Sequence, residues 1–103
     1  MTWADVHARY DILDTVLDHA ALDPAGAVAD AFAGHPDAAR LFGSADGIRQ
    51  ALQARWDNHL NAKLDYAMEK GIEPVWAWQQ LKIEQPRLRA VLDQTIIREL
   101  VAA

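Results

Sequence analysis

Four residues near the start of the chain, His7, Asp11, Asp14 and Asp18, recur at helical spacing. At about 100° per residue they fall within about 60° of one another on one helix face. An imidazole and carboxylates are competent ligands for a divalent cation, and pairs four residues apart can chelate one. Aspartate side chains are short, however, and diverge outward from a single helix. Helical metal centres gather ligands from several facing helices, with Glu-x-x-His motifs that this chain lacks. The stripe is therefore expected to be a solvated acidic face, or a docking surface for a basic partner. No metal ligand, cofactor site or catalytic residue is assigned.

Three other groupings carry polar chemistry. Arg55, His59 and Lys63 stand four residues apart, a basic strip able to meet either a phosphate or the acidic first helix. Lys82, Arg87, Arg89 and Arg98 lie on two helices flanking Gln85-Pro86, which raises a helix-turn-helix reading for nucleic acid. A proline-broken junction fits that motif poorly, and Glu84, Asp93 and Glu99 offset the bases. Ser44 follows Gly43 at a helix start, where capping already accounts for it. No Ser-His-Asp arrangement or glycine-rich phosphate loop is discernible.

Charge is unevenly placed. Residues 1–39 hold seven aspartates against Arg9, whereas residues 40–103 hold nine bases and eight acids. The net charge of −5 disfavours nonspecific binding to nucleic acid, which depends on neutralising phosphates. No apolar run approaches the roughly 20 residues that a bilayer demands, so no membrane partner is expected. The first residues lack a basic segment followed by an apolar one, so no signal peptide is expected. The chain has no cysteine, hence no disulfide and no thiolate chemistry, and a cytoplasmic location fits.

The elements that must position these residues read as helices throughout. No stretch alternates apolar and polar for long, and Ala, Leu, Arg and Gln favour helix. Thr2 with Asp5 three residues on forms a capping box for a first helix running to about Leu22. Trp3, Val6, Tyr10, Leu13, Leu17 and Ala20 form its expected apolar stripe, widened by Ile12 and Val16. Asp23-Pro24 reads as the N-cap and first residue of a second helix over 24–33, anchored by Phe32. A helical turn from Pro36 to Phe42 follows.

A long helix over about 44–70 is closed by Gly71. Ile48, Leu52, Trp56, Leu60, Leu64 and Met68 recur in it every four residues, so their line rotates by about 200° from end to end. Such a helix would be about 40 Å long in a domain about 33 Å across. It must bend around the core, or project at one end and find a partner there. Glu73-Pro74 begins a fifth helix, and Pro86 begins the last. On that last helix Leu88, Val91, Leu92, Thr95, Ile96 and Leu100 share a face. The expected fold is all-α, a single domain over 1–103 built as a bundle or irregular array of five to six helices.

Leu41-Phe42-Gly43-Ser44-Ala45-Asp46, then Trp56, then Pro86-Arg87-Leu88-Arg89-Ala90-Val91-Leu92-Asp93 resemble the pattern of small all-helical actinobacterial proteins without an assigned activity. The resemblance spans most of the chain. It implies a helical fold and carries over no catalytic residue.

Trp76 and Trp78 differ by about 200° around the fifth helix, so one flat core cannot bury both. Either the helix is packed on two sides, or one indole covers a groove edge or a second interface. Ile97 and Val101 raise the same question on the last helix. Together these features predict a non-catalytic module that binds protein or associates with itself. Electrostatic selectivity would come from His7, Asp11, Asp14 and Asp18, and apolar contact from the surroundings of Trp76, Trp78, Ile97 and Val101. Nucleic-acid binding through the C-terminal bases is one alternative. The other is a metal-dependent or small-molecule-binding enzyme.

Overall fold

The computed structural model describes residues 1–102. Among these residues the fold is all-α, with six helices in the order α1 (Trp3–Ala20), α2 (Ala27–Gly34), α3 (Ala38–Phe42), α4 (Ala45–Lys70), α5 (Pro74–Glu84) and α6 (Pro86–Ala102).

Local chemistry sets most of the boundaries. Thr2 Oγ1 accepts from the Asp5 backbone N–H at 3.1 Å while the Asp5 carboxylate accepts from the Thr2 N–H, so the capping box closes. Ser44 Oγ accepts from the Gly47 N–H at the start of α4, and Gly71 ends that helix in the left-handed region at φ 69°. Prolines 74 and 86 stand at the first helical position of α5 and α6, where the missing N–H costs nothing. One boundary differs from expectation. Asp23 Oδ1 accepts from the Gly26 N–H at 3.1 Å, which holds residues 23–26 as a turn, so α2 starts at Ala27 rather than Pro24.

The core gathers Ile12, Leu13 and Val16 of α1, Val28 and Ala31 of α2, and Ile48, Leu52 and Trp56 of α4. Leu81 of α5 and Leu88, Val91 and Leu92 of α6 complete it. The inward face of α1 keeps Leu13 and Ala20 of the expected stripe and departs from the rest of it. Ile12 and Val16 are fully buried, whereas Trp3 is 75 % and Tyr10 57 % exposed. The two pairs lie about 150° apart on the helix. Because α2 and α6 both pack on α1, the side between them, carrying Ile12 and Val16, becomes the inside.

The long helix keeps its length, and its second half leaves the core. After Trp56, Leu60 and Leu64 are half-buried, Ala67 is buried and Met68 is 81 % exposed. The partner for that half is α5, which turns back against it through Gly71 and buries Ala77 and Leu81. The molecule is accordingly elongated, 46 × 38 × 25 Å, with a radius of gyration of 15.0 Å rather than the value near 13 Å of a rounder chain this long. The last helix also outruns its support. Leu88, Val91 and Leu92 are buried, but Ile96 and Leu100, expected on the same inward face, are 49 % and 72 % exposed.

Two arginines tie the small α3 back to α1. Arg9 donates to the Leu41 carbonyl at 3.1 Å and lies over the Phe42 ring at 4.4 Å, and Arg40 donates to Asp5 Oδ1 at 2.8 Å. The Arg40 guanidinium, hydrogen-bonded to Asp5, holds that carboxyl below its ordinary value of 3.8. A lowered folded-state value stabilises the fold above the unfolded value and is lost as pH falls through the folded one. Asp5→Asn should therefore melt lower than wild type at neutral pH, with the gap closing below about pH 4. Thermal melts across a pH series test this; a gap of the same size at neutral pH and at about pH 2 would refute the pairing.

Candidate functional site

The acidic stripe of α1 faces away from the core, its mean direction lying about 150° from that of Ile12 and Val16. His7, Asp11, Asp14 and Asp18 are all exposed. His7 stands edge-on to Trp3, with ring centroids 4.9 Å apart. Asp14 Oδ1 lies 3.8 Å from an Arg55 guanidinium nitrogen, and Asp18 Oδ1 lies 3.8 Å from Arg87. Both separations exceed a hydrogen bond, and such exposed pairs contribute about 0–1 kcal/mol. Asp11 is the member of the stripe without an in-chain cation among the ion pairs. Among the described residues, no group of three or more His, Asp or Glu side chains converges as a metal site.

The basic strip of α4 meets protein groups at each of its three positions. Arg55 approaches Asp14 of α1, the His59 Nδ1 closely contacts the Gln85 amide, and Lys63 donates to Glu84 at 2.6 Å. Only the Arg55 end of this strip approaches the acidic helix; His59 and Lys63 meet the α5–α6 corner.

Two surface grooves flank this seam. One, of about 510 Å³, runs between α1 and α4, with Val6, Tyr10, Leu13, Ala51 and Ala54 forming apolar walls and Arg9, Arg55, Asn58 and His59 providing polar groups. The other, of about 730 Å³, lies between the second half of α1 and the α5–α6 corner, lined by Asp14, Leu17, Asp18, Glu84, Gln85 and Arg87. The α1–α4 groove was not legible from sequence. Ala51 and Ala54 are two of five alanines on that helix, and nothing local sets them apart or names the opposite wall.

Trp76 and Trp78 straddle the buried Ala77–Leu81 line of α5, one on each flank. Trp76 is half-buried against Tyr66 of α4, with ring centroids 5.6 Å apart. Trp78 is 39 % exposed and sets its edge against Trp56 at 6.1 Å. Both indoles therefore lie against the long helix. Trp78 also has Lys82 5.4 Å and Arg89 5.8 Å from its ring.

Arg89 is a correction to the set of bases considered for nucleic acid. It is 8 % exposed, lies over Trp56 at 4.6 Å and donates to Asp93 at 2.9 Å, so it is not presented to phosphates. Arg87 faces Asp18, and Arg98 sits beside Asp46, Arg49 and Glu99. The outer turns of α6 are apolar on the surface, with Ile97 48 % and Val101 82 % exposed. Among the described residues, no helix is long and apolar enough to cross a membrane. No family model, no curated protein and no solved structure matches this chain.

Proposed function

We propose that this chain is a non-catalytic helical module that acts by binding protein, either another chain or a second copy of itself. The observation that carries this reading is the outer end of α6. Past Leu92 the helix continues for ten residues, and Ile96, Ile97, Leu100 and Val101 are 49 %, 48 %, 72 % and 82 % exposed. They span about 140° of the helix, centred well away from the buried Leu88 and Val91. Single exposed apolar residues need no explanation, but a cluster of four on neighbouring turns marks a contact surface. The acidic face of α1 adds selectivity for the partner by charge.

The test is a paired one. Ile97→Lys/Val101→Lys alters side chains outside the core, so its melting temperature should stay within a few degrees of wild type. The variant should lose a partner, or a larger species, that wild type shows in pull-downs from the native host and in light scattering coupled to gel filtration. Identical profiles for the two proteins would remove this surface from the function.

A further inference from the structure

We propose that the groove between α1 and α4 binds a small organic carboxylate with an apolar body, holding the anion at Arg9 and Arg55 and the hydrocarbon against Val6, Leu13, Ala51 and Ala54. This ligand site is independent of the protein-binding reading and lies apart from the outer turns of α6.

The arginines carry the inference. Arg9, Arg49, Arg55 and Arg89 are those that the fold covers wholly or in part. Arg49 donates to Asp46 and Arg89 to Asp93, so each has a carboxylate at hydrogen-bonding distance. Among the described residues Arg9 and Arg55 have none. Arg9 gives an N–H to the Leu41 carbonyl and lies over the Phe42 ring, neutral partners that fix the guanidinium without cancelling its charge. Arg55 has Asp14 at 3.8 Å, beyond hydrogen-bonding reach, and its side chain is only 20 % exposed. A guanidinium that has lost part of its hydration gains from an anion at bonding distance.

Both of these arginines line the same groove, one from each helix, and no Asp or Glu lines it with them. Arg9 stands about 170° around α1 from the mean of the acidic stripe, so that stripe does not compete for the site. The groove is therefore a positive lining in a chain of net charge −5.

The remaining walls select the body of the ligand. Ala51 and Ala54 leave a furrow of about 510 Å³ against Val6 and Leu13, within the span of small-molecule sites (about 300–1,000 Å³). Charge then selects the head. Two guanidinium groups with Asp14 near one of them leave about one net positive charge, which a carboxylate balances and a doubly charged phosphate monoester exceeds. The planar guanidinium fork also matches a carboxylate edge.

Octanoate is the probe, titrated into the protein by calorimetry and by two-dimensional amide NMR. It should bind with a dissociation constant of about 1 mM or tighter, the range for a ligand of its size, and move the amides of Val6, Arg9, Ala51 and Arg55. Acetate, octanol and octyl phosphate should each bind more weakly. Arg55→Gln should weaken octanoate binding by about tenfold. Ala54→Leu fills the furrow from an exposed helical position that leucine suits, so it should keep the melting temperature and lose the ligand. Ile97→Ser/Val101→Ser should bind octanoate as wild type does.

No binding by wild type, or unchanged binding by Arg55→Gln or Ala54→Leu, would overturn the site. Acetate or octanol binding as tightly as octanoate would show that anion and apolar wall do not act together. Octyl phosphate binding more tightly would overturn the carboxylate, and a dimer that Arg55→Gln dissolves would give the groove to a second copy instead.

Discussion

Trp56→Ala should lower the unfolding free energy by about 3–5 kcal/mol, the range for emptying a large aromatic side chain from a packed core. The residue is 2 % exposed and stands where α4, α5 and α6 converge, with the Trp78 edge at 6.1 Å and the Arg89 guanidinium over its face at 4.6 Å. Truncation opens a cavity and also strips a buried cation of its aromatic platform, an interaction worth about 2 kcal/mol or more when desolvated. Arg89 keeps Asp93 at 2.9 Å, so its charge is not left wholly unpaired. Against the roughly 5–15 kcal/mol that holds a small domain together, the loss is a fifth or more. Trp56→Phe retains a ring under Arg89 and should cost clearly less. Urea unfolding followed by circular dichroism measures both. A loss below about 1 kcal/mol for Trp56→Ala would show that the three helices do not depend on this indole.

Gly47→Ala should destabilise the protein although it places a better helix former in a helix. Alanine gains about 1 kcal/mol over glycine in a helix interior. Here a Cβ would run into the carbonyl of Phe42, which is backbone and cannot swing aside, and would also crowd the Phe42 side chain. The chain leaves α3 through Gly43 and enters α4 under the Ser44 cap, so the corner folds tightly over the first turn of α4. Relieving the clash must open that corner and disturb Phe42, which packs against the core and carries the Arg9 contact. Overpacking of this kind costs about 1–3 kcal/mol. Gly34→Ala is the control, since nothing lies within 4 Å of a Cβ there. It should be neutral or slightly stabilising. Thermal melts of both variants decide the matter, and a Gly47→Ala protein as stable as the Gly34→Ala protein would refute the tight corner.

These expectations also mark where sequence and structure part. The capping box of Thr2 and Asp5, the Ser44 cap, the Gly71 stop and the two helix-starting prolines were all readable, because each acts through neighbours within four residues. The stop at Glu84–Gln85 was equally local. Asp23 differs from expectation because its side chain can cap a helix or hold a turn by accepting the same hydrogen bond, and at Gly26, the donor, a Cβ would run into the Asp23 carboxylate.

The inward face of α1 was readable only in part: Leu13 and Ala20 of the expected stripe are buried, and Trp3 and Tyr10 are not. Trp3 and Tyr10 carry more apolar area than Ile12 and Val16, so the sequence ranks their line higher. Which side is inside depends instead on where α2 and α6 lie, and that is set by residues dozens of positions away. The same holds for the polar contacts between helices. Arg9 with Leu41, Arg40 with Asp5, Arg55 with Asp14 and Lys63 with Glu84 join residues 21 to 41 positions apart, and no periodicity links them. Arg89 shows the limit most plainly. On the helix it looks like any surface base, yet two indoles and an aspartate enclose it once α4, α5 and α6 meet.

By itself, then, the sequence determined that the chain is helical, where its main helices begin and end, and that one face of the first is acidic. Those properties follow from backbone capping, proline and glycine geometry and the 3.6-residue repeat, all of which act within a turn or two. The tertiary structure alone decided which flank of each helix is covered, that α5 packs against the outer half of the long helix, and that Arg55 stands beside Asp14 of α1. A helix offers its whole circumference to its surroundings, and only the packing of distant neighbours selects the side that becomes interior and the side left to meet a partner.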